Sequence, residues 1–227
     1  MPSLSVIIPT LNVGEALEQT LTALRTGDCD LVHEIIVSDG GSQDQTFQRA
    51  VSAGCVFVRG ASGRGNQLAR GATNAKGHWL LFIHADTCLS ENWGEQVRDF
   101  IGMKKNQDQA AVFKFVLDDV SRKARVLEAI VATRVRLLAL PYGDQGLLIS
   151  RAFYCWLGGF SPIPLMEDVE MARKIGRARL HVLPALAVTS ASRYMRDGYI
   201  KRMGRNAICL SLYTLGVSPH WLAKFYN

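Results

Sequence analysis

The features this chain lacks narrow its chemistry first. Its five cysteines, at 29, 55, 88, 155 and 209, form no CxxC pair and no Cys/His metal spacing. That argues against a disulfide framework or a structural zinc site, and suits free thiols in a reducing cytosol. No basic leader with a cleavage site precedes the first apolar segment, so no signal peptide is expected. The longest weakly charged stretch, 206–223, contains Asn, Ser, Thr, His and Pro and makes a poor membrane span. No repeat, linker or low-complexity tract interrupts the chain. Acidic residues become scarce late. From Met171 onward Asp197 is the only one, against ten Lys and Arg. Such a basic region attracts phosphates, an anionic membrane surface or nucleic acid, or is simply a solvated face. No basic strand interleaved with aromatics supports RNA reading, so nucleic acid is not an expected partner. The expected location is the cytoplasm, with peripheral contact at the inner membrane face through the basic C-terminal region as an extension of it.

What is present suits one domain. The chain has 227 residues, 48% hydrophobic, and a formal net charge of +6. Its first half alternates regularly. Apolar runs at 4–8, 34–38, 55–58 and 79–83 predict strands, with helices expected over 14–24, 44–53, 66–75 and 93–103. Continuous rather than alternating apolar runs mean strands buried on both faces, hence a parallel sheet of βαβ units. The second half is less regular. Strands are expected over 111–117, 146–150 and 181–188, and helices over 122–140, from 167 onward and over 199–215. The domain divides into a nucleotide-binding front, about 1–105, and an acceptor-binding back, about 106–227. Asn12 with Glu15, and Ser42 with Gln45, have capping-box spacing.

Five polar constellations follow strand ends, where open α/β sheets bind ligands. Pro9-Thr10-x-Asn12 closes the first strand. Asp39-Gly40-Gly41-Ser42-x-Asp44 closes the second. Here Ser42 or Asp44 suits a helix cap, and Asp39, too early for that, suits a base or ribose hydroxyl. The run 59–66, RGASGRGN, is glycine-rich with arginines before a helix and suits a pyrophosphate. It is neither a Walker A loop nor a dinucleotide fingerprint. The run 79–87, WLLFIHADT, carries an apolar strand into His84-x-Asp86. A carboxylate there calls for a cap, a salt bridge or a metal ion. Ser90 and Asn92 sit better as caps, and one carboxylate plus diphosphate oxygens suits Mg²⁺ or Mn²⁺. Glu167-Asp168 either supplies a general base or complements a helix dipole.

In this order the segments resemble the family-two glycosyltransferases of the GT-A fold. The likeness runs through SVIIPTLN, VSDGGSQDQT, GRGNQLARGA, LLFIHADT, PYGDQGLLISR, GGF and PLMEDVEMARK, most of the chain. It is strongest to a bacterial subgroup with His-Ala-Asp in place of Asp-x-Asp, some of whose members are partners of radical-SAM proteins. The resemblance implies a Rossmann-like three-layer α/β/α fold with a mostly parallel central sheet. It implies a nucleoside diphosphate sugar donor whose nucleoside meets Pro9, Thr10, Asn12 and Asp39, with Arg64 and Gly65 nearby. Asp86, with His84 beside it, would hold a divalent cation, Mn²⁺ or Mg²⁺. Asp168 would be the base and Glu167 its support, Asp144 and Gln145 would line the sugar or acceptor pocket, and Arg193 would meet the leaving diphosphate. The reaction implied is inverting and metal-assisted, onto an unknown acceptor for which a lipid-linked molecule is one candidate. Two departures stand out: Val13 where many relatives carry Glu, and His84 where they carry a carboxylate. A sugar-phosphate nucleotidyltransferase would favour a Lys-containing glycine loop after the first strand, which PTLNVGEAL lacks. A binding protein that keeps the fold without turnover is the other alternative.

Overall fold

The apolar runs of the first half do fold as parallel strands. A computed structural model of the chain describes residues 3–28 and 30–226. Its strands are β1 (Leu4–Thr10), β2 (Val32–Asp39), β3 (Val56–Arg59), β4 (Trp79–Phe82), β5 (Thr87–Leu89), β6 (Ala110–Leu117), β7 (Leu147–Ser150) and β8 (Leu180–Thr189). Its α-helices are α1 (Gly14–Asp28), α2 (Thr46–Ser52), α3 (Arg64–Asn74), α4 (Trp93–Gly102), α5 (Arg122–Leu138), α6 (Arg151–Trp156), α7 (Glu167–Ile175), α8 (Ser192–Asp197), α9 (Tyr199–Thr214) and α10 (Pro219–Tyr226). One sheet joins both halves, in the order β3-β2-β1-β4-β7-β6-β8-β5.

Pairing among β1, β2, β3 and β4 is parallel throughout. Beyond β4 the sheet becomes mixed: β7 runs antiparallel to β4 and β6, β6 and β8 are parallel, and β5 closes the edge antiparallel to β8. The expected three-layer α/β architecture holds, with its regular half at the front. Burial on both faces explains the unbroken apolar runs. All four residues of β4 are buried. Trp79 and Leu81 pack on one face with Leu17, Trp93 and Val97, while Leu80 and Phe82 pack on the other with Leu68, Met171 and Ile175. Alternate side chains of a strand point to opposite faces, so one run feeds two cores.

Three elements escape the periodicity. β5 has three residues, too few to show a period, and α8 has six. α10 begins at Pro219 in a stretch whose apolar residues read as a continuation of the basic tail. The two capping boxes do not form. The side-chain oxygen of Asn12 instead accepts from Gln43 N–H at 2.9 Å, and Ser42 Oγ accepts from Asn12 N–H at 2.8 Å. Asp44 Oδ1 accepts from Thr46 N–H at 3.0 Å at the start of α2. Asn12 and Ser42 thus tie the β1 and β2 end loops together, while Asp44 binds the first N–H of α2. Cys55, Cys88, Cys155 and Cys209 are free thiols, and Cys29 lies outside the described residues. Among the described residues no helix is long and apolar enough to cross a membrane.

Candidate functional site

Asp86 sits in the turn between β4 and β5, and β5 separates it from α4, so it is not a helix cap. The salt bridge is present: Arg193 Nη2 at the start of α8 lies 3.5 Å from Asp86 Oδ2. Both line an open cleft that also takes in Arg64, His84, Asp144 and Asp168.

Each of these side chains is set by its element. Arg64 opens α3, and its Nε lies 3.6 Å from Oε1 of Glu167, which opens α7. That is an ion pair beyond hydrogen-bond reach. Glu167 is fully buried and neither carboxylate oxygen has a hydrogen-bond partner. Burial raises its pKa, and Asp168 adds to the rise while Arg64 opposes it. Met166, just before it, holds a left-handed backbone at φ 69°. That conformation is costly for a residue with a side chain and concentrates at functional sites. Asp168 accepts from Gly143 N–H at 2.9 Å through Oδ2 and from Val169 N–H at 2.7 Å through Oδ1. Its carboxylate is thereby fixed against the turn that carries Asp144. Asp144 has a buried oxygen without a partner, and desolvation pushes its pKa up to about 6, with Asp168 and Asp86 adding to the rise and Arg134 opposing it.

His84 presents Nε2 to Gly143 so closely that a Cβ on Gly143 would lie 2.5 Å from it. Desolvation, reinforced by Arg64 and Arg193, pushes the imidazole pKa well below its ordinary value. The ring is therefore neutral, the form that ligates metals. Among the described residues no three His, Cys, Asp or Glu side chains converge on one point. Asp86 and His84 would need diphosphate oxygens and water to complete the shell of a divalent cation, and an imidazole beside a carboxylate suits Mn²⁺ better than Mg²⁺. They do not fit a metal held by protein ligands alone.

Several expected site residues lie elsewhere. Asp39 is fully buried. It accepts from Thr10 Oγ1 at 3.1 Å, Gly41 N–H at 2.9 Å, Ser42 N–H at 2.8 Å and Ser42 Oγ at 2.5 Å, with Arg59 Nε at 3.4 Å. As expected it does not cap α2, which starts at Thr46; it organises its own loop instead. Pro9, Thr10 and Asn12 share that strand-end region and do not line the cleft. Gly65 is buried, and its N–H donates to Ile163 O at 3.2 Å. Gln145 also turns away. Its Nε2 donates to Phe113 O at 3.0 Å, and it lines a groove beside α5 instead of the sugar or acceptor pocket. Sequence reasoning missed Arg202, Asn206 and Tyr226 on the cleft wall. The basic and aromatic composition of the C-terminal region was their only signal.

Asp39 carries a stability prediction. Its loop hydrogen bonds hold its pKa below the ordinary carboxylate value against the opposing effect of burial. A lowered folded pKa stabilises above the unfolded value, about 4. That contribution is lost as the pH falls through the lower folded value. Asp39→Ala should cost about 3 kcal/mol in urea unfolding at neutral pH, because several donors lose a charged acceptor. The deficit against wild type should shrink under strong acid.

With this geometry in place, the family can be read from comparison. The Glycosyl transferase family 2 model matches residues 5–153. The chain belongs to glycosyl transferase family 2. The matched residues take in β1 to β7, hence Arg64, His84, Asp86 and Asp144, and end before Glu167, Asp168 and Arg193. A PGL/p-HBAD biosynthesis glycosyltransferase of Mycobacterium bovis is 34% identical over 115 residues, 47% of this chain and 44% of that protein. The chain thus spans under half the length of that family member. Among solved structures, glucosyl-3-phosphoglycerate synthase from Mycobacterium tuberculosis, in complex with Mn²⁺, UDP-glucose and phosphoglyceric acid, superposes with a TM-score of 0.57. It is 21% identical, over 83% of this chain and 70% of that one. S. aureus TarS 1–349 superposes with a TM-score of 0.64 at 15% identity, over 99% of this chain and 69% of that one. At these identities the two structures establish the GT-A-like fold that glycosyl transferase family 2 shares.

Proposed function

We propose that this chain moves a sugar from a nucleoside diphosphate sugar to an acceptor hydroxyl with inversion, and that it belongs to the His-Ala-Asp subgroup of its family. The observation that carries this reading is the convergence of Arg64, His84, Asp86, Asp144, Asp168 and Arg193 on one cleft. The set joins a fixed carboxylate to cationic and metal-ligating groups. Asp168 takes the acceptor proton as the acceptor oxygen attacks the anomeric carbon. The bond from that carbon to the diphosphate breaks on the opposite face, and its electron pair leaves with the nucleoside diphosphate. Arg193 and Arg64 meet the negative charge that grows on the leaving group. Asp86 and His84 would hold a divalent cation, which would supply positive charge against the diphosphate. Glu167 acts through Arg64, holding the guanidinium in the cleft wall. UDP-glucose and Mn²⁺ in the M. tuberculosis synthase complex support a donor and cation of these classes.

A thermal-shift screen of nucleotide sugars with and without Mn²⁺ tests this. The matching donor, at about tenfold its Kd, should raise Tm by about 3–5 °C. The Mn²⁺-dependent part of that rise should vanish in Asp86→Ala while the unliganded Tm stays close to wild type. Absence of a shift with every nucleotide sugar would sink the donor class. An equal shift without metal in both proteins would sink the role of Asp86.

A further inference from the structure

The helix α5 is apolar on two faces. Ala124, Leu127, Val131 and Val135 point into the core. On the opposite side Val126, Ile130 and Leu137 are exposed at 56%, 48% and 59%. Their spacing of four and then seven residues places them in one stripe. Beside the helix, on the side of Ala129 and Ala132, an open groove reaches Val182 and Leu186 of β8, themselves 46% and 37% exposed. Exposed cations frame the stripe: Arg122 and Lys123 at the start of the helix and Arg136 towards its end. The single acid of α5, Glu128, is neutralised by Arg125 at 2.9 Å.

Part of the charge in the tail after Met171 is engaged: Arg196, Arg202 and Arg205 gather on Asp197, Arg193 on Asp86, Lys174 on Glu170, and Arg177 donates to Leu137 O. Lys201 and Lys224 stay exposed there, as do Trp221 and Phe225. On α5 the exposed cations stand at both ends of one apolar stripe.

We infer that the outer face of α5 is the surface by which this protein rests on an anionic lipid bilayer. A helix with an apolar stripe flanked by Lys and Arg lies in the interfacial plane, its apolar side chains among the acyl chains and its cations at the headgroups. Charge selects this occupant over a second copy. Two copies meeting at α5 would set Arg122, Lys123 and Arg136 of one against those of the other, on chains of net charge +6. The inference is independent of the sugar-transfer reading.

The test is flotation of the full chain with vesicles of phosphatidylcholine alone or with about 30% phosphatidylglycerol. Binding should require the anionic lipid and weaken with salt. The double variant I130E/L137E should bind about tenfold more weakly, with an unchanged melting temperature because both positions are exposed. Ile130→Trp should bind as wild type, and its added emission should shift to the blue and be quenched by brominated lipid. No binding to anionic vesicles, or equal binding by I130E/L137E, would overturn the inference. So would a dimer in solution that I130E/L137E dissociates, since the stripe would then be covered by a second copy.

Discussion

Asp168→Asn should lower the rate of sugar transfer by about a thousandfold while leaving donor binding intact. The two side chains have the same shape, so α7 and its strained entry at Met166 should persist. The difference is chemical. Both carboxylate oxygens of Asp168 already receive a backbone N–H, from Gly143 and from Val169. These bonds leave lone pairs on each oxygen, so the wild-type side chain still accepts a proton. An amide cannot. Its NH2 group would also face one of those N–H donors, which adds a modest stability cost. Single-turnover transfer, paired with thermal shift by the donor, separates the effects: kcat collapses while the donor-induced rise in Tm remains. Asp144→Asn is the informative control. Asp144 shares the cleft and has a buried oxygen without a partner, yet no backbone N–H fixes it. Full transfer by Asp168→Asn together with loss in Asp144→Asn would move the base to Asp144.

Gly65→Ala should be the most damaging small substitution near the cleft. A Cβ there would run into the carbonyl oxygens of Ser161 and Ile163, the second at 2.7 Å, with Ile163 N at 3.0 Å. These are backbone atoms, so no rotamer change relieves the clash. Either α3 or the loop before α7 must shift. Overpacking of this kind costs about 2–3 kcal/mol. The functional cost should be larger in proportion, because α3 carries Arg64 and the loop leads to Glu167 and Asp168. A displacement near an ångström between reacting groups is worth about a hundredfold in rate. Urea unfolding and transfer assays on the same preparation check both figures. Wild-type stability with wild-type activity would show that the close approach of α3 to the 161–163 loop does not position the site.

Much of the fold was legible because its signals are local. Strands buried on both faces must be apolar throughout, so β1, β2 and β4 announced themselves within a few residues. The helices between them followed from the same logic. β5 and α8 were too short to show a period, and β7 gave no sign that it would run antiparallel between β4 and β6. Direction depends on which neighbour offers an open edge, and that lies far away in sequence.

The candidate site was legible in its ingredients and only partly in its assembly. Arg64, His84, Asp86, Asp144, Asp168 and Arg193 were all recognisable, and the fold gathers them in one cleft. Asp39, Gly65 and Gln145 have the right residue types at the right strand ends, but their side chains or backbones are used by neighbouring protein groups. Spacing shows that a residue is near a strand end. It does not show whether its hydrogen-bonding capacity is already filled.

The sequence by itself determined the alternation of strands and helices, the order of the polar strand-end segments and membership of glycosyl transferase family 2, because periodicity and motif order are properties of the chain. Only the tertiary structure decided that Asp86 meets Arg193, that Glu167 is buried against Arg64, that Asp39 is consumed by its own loop, and that α5 presents a second apolar face to the outside. Each of these depends on which distant groups pack together and which donors and acceptors find partners. Such pairings follow from the packing of the whole chain, not from the residues on either side.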